Sequence, residues 1–326
     1  MSEINFIQAI TLALARAMAD DESVLVLGED VGADGGVFRA TDGLMKRFGD
    51  ERVRDTPLAE AGIVGLSIGL ALQGFRPVAE IQFSGFIYPC IDQLANHASR
   101  FRTRTRGRLT CPLVVRTPWG GGVKAFEHHS ESNEAMFTNI PGLRVVIPST
   151  PKQAYGLLLA AIRDPDPVVF FEPTRLYRAA REDVEDDGVA APLDRCFVRR
   201  EGSDLTLVAW GGMVAEALAT AEALQGKGVS AEVIDVATLK PLDEETILKS
   251  VAKTGRCVIV QEAPRTGGFA GEIAARVGEG AFGSLLAPVQ RVTGFDTVMP
   301  LLRLEDVYLP NAERIGAAAE RVMAYA

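Results

Sequence analysis

Glu60 is the residue of this chain whose type and surroundings most strongly suggest chemistry. It is the only ionisable side chain between Thr56 and Gly74, a run made almost wholly of small and apolar residues. Pro57 near the start of the run and Gly74 at its end predict a helix. Two interpretations follow. Either the acid complements the dipole of a buried core helix, or an apolar site raises its pKa, so that it keeps or shares a proton near neutral pH.

Three glycines in this predicted helix share one face. Gly62, Gly65 and Gly69 follow one another at spacings of three and four residues, which place them on the same side of a helix. A glycine in a helix interior costs about 1 kcal/mol relative to alanine, so three of them need a reason in the packing. A face without side chains lets another backbone come very close, and we therefore expect this helix at a subunit contact.

Two further acids and a pair of histidines are candidates for the same site. The run 24–28 is short, entirely apolar and ends in glycine, which is typical of a parallel strand buried on both faces, and Glu29 and Asp30 follow it directly. In open α/β sheets, ligands bind at the carboxyl ends of the strands. His128 and His129 follow a glycine-rich loop, where a mobile catalytic residue can lie. A surface loop without a role is the alternative.

The motifs of several enzyme classes do not occur in the sequence. No third histidine or cysteine cluster stands at a spacing suited to zinc. No Gly-x-Ser-x-Gly turn presents a serine nucleophile. Neither a P-loop nor a Gly-x-Gly-x-x-Gly fingerprint is present to hold phosphate. The sequence therefore combines an acid in apolar surroundings, acids at a strand end and a histidine loop with no phosphate-binding element of its own.

The net charge and the composition limit which partners the chain can bind and in which compartment it is expected. The net charge of −9 and the absence of a strongly basic stretch argue against nucleic acid. The short basic segment Arg100–Arg108 is either a solvated helix end or a docking surface for an acidic chain. No apolar run reaches membrane-spanning length, and the N-terminus carries no signal peptide. The four cysteines are far apart and indicate reduced core thiols, so we expect a cytoplasmic protein.

Strands and helices alternate along the 326 residues, which predicts an α/β fold with two doubly wound domains. We place the first domain at 1–185, a linker at 186–200 and the second domain at 201–326. The acidic stretch 181–188 lacks an apolar period and is predicted to be an exposed connection, and the alternation restarts after it. One long helix is predicted over Tyr88–Arg102.

Several motifs along nearly the whole chain resemble one family. They are Leu27–Val31, Asp55–Gly62, Glu80–Phe83, Phe86–Pro89, Pro112–Arg116, His128–Ser132, Val168–Pro173 and Arg291–Asp296. The chain is similar to the β subunit of the thiamine diphosphate-dependent 2-oxo acid dehydrogenases, the first, decarboxylating component of the pyruvate and branched-chain complexes. The resemblance implies a transketolase-like pyrimidine-binding domain followed by a transketolase C-terminal domain.

The resemblance assigns roles to the candidate residues. The acid matching Glu60 hydrogen-bonds the pyrimidine ring of thiamine diphosphate and promotes its imino tautomer. Leu58 and Phe86 are implied to line the pyrimidine pocket, with Glu29 beside it. His129 matches a loop histidine that serves decarboxylation or acyl transfer to lipoamide, and His128 is the weaker candidate.

Metals and partners are also implied by the resemblance. Some family members bind potassium through residues that correspond here to Leu113, Ala161, Ile162, Asp164 and Asp166. The family holds the diphosphate through magnesium on a Gly-Asp-Gly motif, which this chain lacks. Magnesium and the diphosphate are therefore expected on an α subunit, in an α2β2 assembly that passes the acyl group of a 2-oxo acid to a lipoyl acyltransferase component.

Other interpretations remain open at this point. A related split thiamine enzyme, such as an acetoin dehydrogenase β subunit or half of a split transketolase, would share the motifs. A non-catalytic subunit would keep the fold, although intact Glu29, Glu60 and His129 argue against it. The sequences of Glu80–Phe83 and Phe86–Pro89 resemble those of branched-chain members more than those of pyruvate members, but the sequence does not define the substrate.

Overall fold

A computed structural model describes residues 3–325 and divides the chain into two compact units. The first comprises residues 1–119 and 136–193, and the second comprises 120–135 and 194–326. Residues 1, 2 and 326, at the ends of the predicted domains, lie outside the described residues. The segment 120–135, which carries the histidine pair, thus groups with the second unit, although it falls inside the predicted first domain.

The first unit is built on a parallel sheet. Its strands in chain order are β1 (Glu3–Asn5), β2 (Val24–Gly28), β3 (Val53–Asp55), β4 (Arg76–Glu80), β5 (Val114–Trp119), β6 (Arg144–Val146), β7 (Val168–Pro173) and β8 (Arg181–Asp183). Within this unit the strand order is β6-β7-β5-β4-β2-β3, with parallel pairing throughout. The strands β5 and β7 are buried along their whole length, as expected for a parallel sheet covered on both faces.

The strands β1 and β8 form a separate antiparallel pair. The acidic stretch 181–188, predicted from its lack of an apolar period as an exposed connection, therefore begins with a short strand. The prediction was wrong at this point because a three-residue strand is too short to show an alternating pattern.

The helices of the chain up to residue 193 are α1 (Phe6–Asp20), α2 (Leu44–Phe48), α3 (Glu60–Leu72), α4 (Phe101–Arg104), α5 (Glu134–Thr138) and α6 (Pro151–Arg163). A capping box between Asn5 and Gln8 starts α1. The long helix predicted over Tyr88–Arg102 is instead a broken series of 3₁₀ turns, a π segment at Gln93–His97 and the short α4. Apolar spacing alone does not distinguish these tighter and wider turns from an α-helix.

The second unit also has a mostly parallel sheet. Its strands are β9 (Phe197–Arg200), β10 (Leu205–Ala209), β11 (Ala231–Asp235), β12 (Thr238–Lys240), β13 (Cys257–Val260) and β14 (Gln290–Val292). One sheet has the order β14-β13-β10-β11-β9, and only β9 is antiparallel to its neighbour. The strand β9 lies within the stretch predicted as a linker.

The helices after residue 193 are α7 (Met213–Gln225), α8 (Glu244–Thr254), α9 (Ala270–Gly280), α10 (Glu305–Tyr308) and α11 (Ala312–Met323). The helix α11 was not predicted, although Asn311 caps it and Ile315 and Val322 bury one face. Across residues 3–325, no helix is both long and apolar enough to cross a membrane. All four cysteines are free, and Cys196 alone is half-buried.

An ionic cluster lies inside the first unit's sheet. The Arg116 guanidinium, 1% exposed, donates to both carboxylate oxygens of Glu172 at 2.6 and 2.8 Å and also pairs with Glu80. The Tyr177 hydroxyl donates to Glu172 at 2.7 Å. Burial raises the pKa of Glu80, even though Arg116 opposes the shift. The cluster joins the neighbouring strands β4, β5 and β7, next to the loop that carries Glu29.

Candidate active site

Glu29 lies directly after β2, at the carboxyl edge of the first unit's sheet, and is 7% exposed. Its Oε1 accepts no hydrogen bond from any residue between 3 and 325. Burial first, and then the nearby carboxyls of Glu60 and Asp30, raise the pKa of Glu29 above its ordinary value. A buried carboxyl with an unused acceptor needs an explanation, and a ligand at this edge of the sheet provides one.

Glu60 is the first residue of α3 and is half-buried. It lies close enough to Glu29 to raise that residue's pKa, and both acids act on the buried Cys90. Burial, followed by Glu60 and Glu29, raises the pKa of the Cys90 thiol to about 12, so the thiol keeps its proton. The structure thus brings together two of the sequence-predicted acids and a thiol that the sequence analysis did not single out.

Two carboxyls in one site favour the sharing of a proton. Like charges at short range disfavour double ionisation, so one member of such a pair readily stays protonated. Glu29 is the more buried of the two, and its pKa is the one that is raised. Two carboxyls near one another at a strand edge suit hydrogen bonding to a ligand that needs a proton at a defined atom.

The two apolar residues predicted to line the pocket are accessible. Leu58 is 80% exposed, just before α3 begins. Phe86 is half-buried, and its ring packs edge-on against Phe83 with the centroids 5.9 Å apart. Phe83 packs in the same way against Phe38 at 5.4 Å. The aromatic rings and the leucine therefore provide apolar surface that a planar ring could contact.

The glycine face of α3 points away from the rest of the first unit. Gly62 and Gly69 are exposed, whereas Ile63 and Ile68 bury the opposite side. A Cβ placed at Gly69 would meet no described atom within 4 Å, and one at Gly65 would meet only the Gln93 side chain, at 3.4 Å. The helix predicted as a buried core helix is therefore buried on one face only, and the close backbone approach that the glycines permit is not made within residues 3–325.

The histidine loop is held in the second unit by two buried acids. The backbone N–H of Gly121 donates to Glu262, and that of Gly122 donates to Glu305. The Ser132 hydroxyl also donates to Glu262, at 3.0 Å. Both acids are almost completely buried, at 1% and 0% exposed. A Cβ at Gly121 would lie 2.7 Å from the Met299 methyl group, so a side chain at that position would have to displace the end of Met299.

The two histidines differ in their surroundings. His128 is exposed, whereas His129 is half-buried and packs edge-on against Phe126, with ring centroids 6.3 Å apart. Ser130, which follows His129, is buried. The residues 127–129 form a single 3₁₀ turn, which sets the two imidazoles in different directions. His129 is therefore the more constrained of the pair.

The residues predicted for potassium lie around the end of α6. The helix ends at Arg163, and its last carbonyls have no partners within the helix and attract cations. The Arg76 guanidinium already donates to the carbonyls of Ile162 and Asp164, at 2.9 and 3.3 Å. Val168 donates to the Leu113 carbonyl at 2.8 Å. A carbonyl oxygen has two lone pairs, so these contacts leave acceptor capacity, and a potassium ion at Leu113, Ala161, Ile162, Asp164 and Asp166 stays a prediction.

Three residues of these sites were not identified as candidates from the sequence. Cys90, Glu262 and Glu305 carry no local motif, and each is identified only by its neighbours in space. For Glu262, the nearest sequence signal is its place directly after an apolar strand run, as for Glu29. Among residues 3–325, no group of three acidic, histidine or cysteine side chains is arranged to hold a metal ion.

The chain matches two families that together span most of its length. Residues 2–180 match the family described as transketolase, pyrimidine binding domain. Residues 194–315 match the family described as transketolase, C-terminal domain.

Similar proteins are named for two 2-oxo acids. A pyruvate dehydrogenase E1 component subunit beta of Bacillus subtilis is 50% identical over 325 residues, covering 100% of both chains. One of Acholeplasma laidlawii is 50% identical over 317 residues, covering 97% of each. A 3-methyl-2-oxobutanoate dehydrogenase subunit beta of Mycobacterium tuberculosis is 49% identical over 321 residues, covering 98% of this chain and 92% of the other. These identities are too similar to decide between the two substrates.

One solved structure supports the fold. A chain described as a split gene transketolase, inactive beta4 tetramer, has a TM-score of 0.80 and covers 99% of both chains at 24% identity. At this identity the likeness shows the two-domain transketolase-like architecture and not the activity.

Proposed function

This chain belongs to the family of E1 β subunits of thiamine-dependent 2-oxo acid dehydrogenases, and we propose that it forms the pyrimidine-binding half of a split active site. The reaction is the decarboxylation of a 2-oxo acid, pyruvate or 3-methyl-2-oxobutanoate, followed by reductive acylation of a lipoyl group. The observation that carries this proposal is the pairing of Glu29 with Glu60 at the carboxyl edge of the first unit's sheet.

The residues present fit one half of thiamine diphosphate. The unused acceptor of Glu29, the partly exposed Glu60 and the apolar surfaces of Leu58 and Phe86 suit a planar nitrogen heterocycle. No phosphate-binding motif accompanies them. Diphosphate and magnesium are therefore assigned to an α subunit, and the cofactor lies across the contact between the two chains.

Each residue has a role that its surroundings support. When bound, thiamine diphosphate supplies the nucleophilic carbon and the electron sink that decarboxylation needs. Glu60 donates a hydrogen bond to a pyrimidine ring nitrogen, with the Glu29 carboxyl beside it to share the proton. Leu58 and Phe86 hold the ring and exclude water. His129, on its anchored loop, moves a proton during decarboxylation or acyl transfer.

The assembly follows from the exposed glycine face of α3. We propose that Gly62, Gly65 and Gly69 contact a second backbone in an α2β2 heterotetramer, which matches the preference of oligomers for two-fold symmetry. The assembly delivers its acyl group to a lipoyl acyltransferase component in the cytoplasm. The reported relatives carry 2-oxo acid dehydrogenase names, so the acetoin and split-transketolase alternatives have no comparable support.

Glu60→Gln tests the proposal directly. The substitution keeps the size of the side chain but removes its acid, so the fold should persist. Decarboxylation should fall by roughly 10²–10⁴-fold, the usual contribution of a general acid or base. The assay uses the chain with its α partner, thiamine diphosphate and magnesium, on pyruvate and on 3-methyl-2-oxobutanoate. The wild-type ratio of kcat/KM for the two acids identifies the substrate, and near-wild-type turnover by the variant would refute the assignment of Glu60.

A further inference from the structure

The second unit carries a cavity of about 410 Å³ whose wall contains four arginines. Arg291 belongs to β14, Arg265 follows β13, and Arg314 and Arg321 belong to α11. The backbone segment 293–296, which follows β14, completes the wall. The cavity thus lies at the carboxyl ends of two parallel strands, the edge at which open α/β sheets bind their ligands. It belongs to the C-terminal domain and shares no residue with the Glu29–Glu60 site.

Arg314 is a fixed part of this wall. Its guanidinium donates to the backbone carbonyls of Tyr308 and Thr293 and lies over the Phe295 ring, 4.7 Å from the centroid. The Arg265 guanidinium donates to the Arg291 carbonyl at 3.4 Å. Backbone and ring contacts of this kind hold two of the cations in place.

The cluster has almost no negative charge of its own. Arg291, Arg314 and Arg321 form no ion pair with a carboxylate of residues 3–325, whereas Arg265 lies near Asp296 and helps to lower its pKa. The one acid of the wall, Asp296, accepts hydrogen bonds from the Thr266 backbone and hydroxyl, both at 2.8 Å. Like charges held together repel one another, so an anion bound among them would stabilise the arrangement.

We propose that this cavity binds the diphosphate or bisphosphate group of a small molecule. Guanidinium groups present planar pairs of N–H donors that match phosphate oxygens. A single phosphate monoester carries a charge of roughly −1.5 to −2, which is too little to balance four arginines and one aspartate. The cavity has the size of an ordinary small-molecule site, for which about 300–1,000 Å³ is typical. The inference does not depend on the thiamine chemistry of the other site.

Binding of inorganic pyrophosphate is the first test. Calorimetry is performed on the full chain alone and on the α–β complex saturated with thiamine diphosphate and excess magnesium, so that the cofactor's own site is filled. Variants Arg291→Gln and Arg321→Gln each remove one guanidinium from the cavity. Arg303→Gln is the matched control, because Arg303 is an exposed arginine of the same domain outside the cavity wall. Near-ultraviolet circular dichroism confirms that each variant keeps its fold.

The proposal expects saturable binding to the chain and to the complex, weakened at least tenfold by each cavity variant and unchanged by Arg303→Gln. Absence of saturable binding to the wild type would overturn it. So would equal weakening by Arg303→Gln, which would show a diffuse charge effect. Binding to the isolated chain that is lost in the complex would overturn it as well, because an acidic segment of the α partner would then be the natural occupant.

Discussion

Replacing Gly69 by leucine separates a role in assembly from a role in folding. Gly69 lies on the exposed face of α3, and a Cβ there would meet no described atom within 4 Å. Its backbone does not have a positive φ, so leucine is compatible with the local conformation. Gly65 is a less clean choice, because its added Cβ would press on the Gln93 side chain at 3.4 Å.

The expected magnitudes differ between the free chain and the assembly. In the free chain, removing a helix-interior glycine should gain about 1 kcal/mol of helix propensity, so thermal unfolding should not occur at a lower temperature. That gain is present before and after association and therefore cancels in the association equilibrium. If another backbone packs on this face, the added side chain overfills the contact at a cost of roughly 1–3 kcal/mol, which corresponds to about 5–150-fold weaker association.

The assay is sedimentation velocity of the chain mixed with its α partner over a range of concentrations, together with thermal unfolding of the chain alone. Gly316→Leu is the matched control. Gly316 lies inside α11 and also has open space around its Cβ position, so it shares the gain in propensity without lying on the α3 face. Association of Gly69→Leu with wild-type affinity would refute the placement of α3 at the contact. Unfolding of the free variant at a lower temperature would instead show an unrecognised packing role.

Two further substitutions test the active site and the buried cluster. His129→Ala should lower ferricyanide-coupled or lipoyl-coupled turnover more than His128→Ala, and equal rates for both variants in both assays would show that the wrong histidine was chosen. Arg116→Met should destabilise the chain by about 3–5 kcal/mol near neutral pH, measured by urea unfolding, because it leaves buried carboxylates without their cation. The folded-state pKa of Glu80 is raised above its ordinary 4.5. The loss of stability caused by Arg116→Met should therefore become smaller as the pH falls towards 4.5, because Glu80 then takes up a proton. A loss of stability that does not change with pH would contradict the explanation.

The local pattern of apolar, polar and charged residues was sufficient to predict the fold class and to identify the individual candidate acids. All-apolar runs such as 24–28 predict buried parallel strands, because both faces of such strands are covered, and β2 confirms this. Pro57 and Gly74 predicted a helix with Glu60 in its first turn, and Glu60 is the first residue of α3. The absence of a phosphate motif was likewise readable from the chain alone. These features depend on residues that are neighbours along the sequence.

Local pattern failed where several kinds of turn share one spacing. The segment 88–104 has the apolar recurrence of one helix, but it folds into 3₁₀, π and α turns. These kinds of turn differ in which backbone carbonyl accepts the hydrogen bond of each N–H. That choice depends on packing against α3 and the neighbouring strands rather than on residue type.

Only the tertiary structure decided which groups meet. Glu29, Glu60 and Cys90 come from three different elements and converge at one strand edge. The loop of His129 is held by Glu262 and Glu305, acids that lie 141 and 183 residues from their partners. Periodicity and composition report only how each segment is buried. Which distant acid satisfies which backbone N–H is determined by chain topology, since parallel strands adjacent in a sheet are separated in sequence by whole helices.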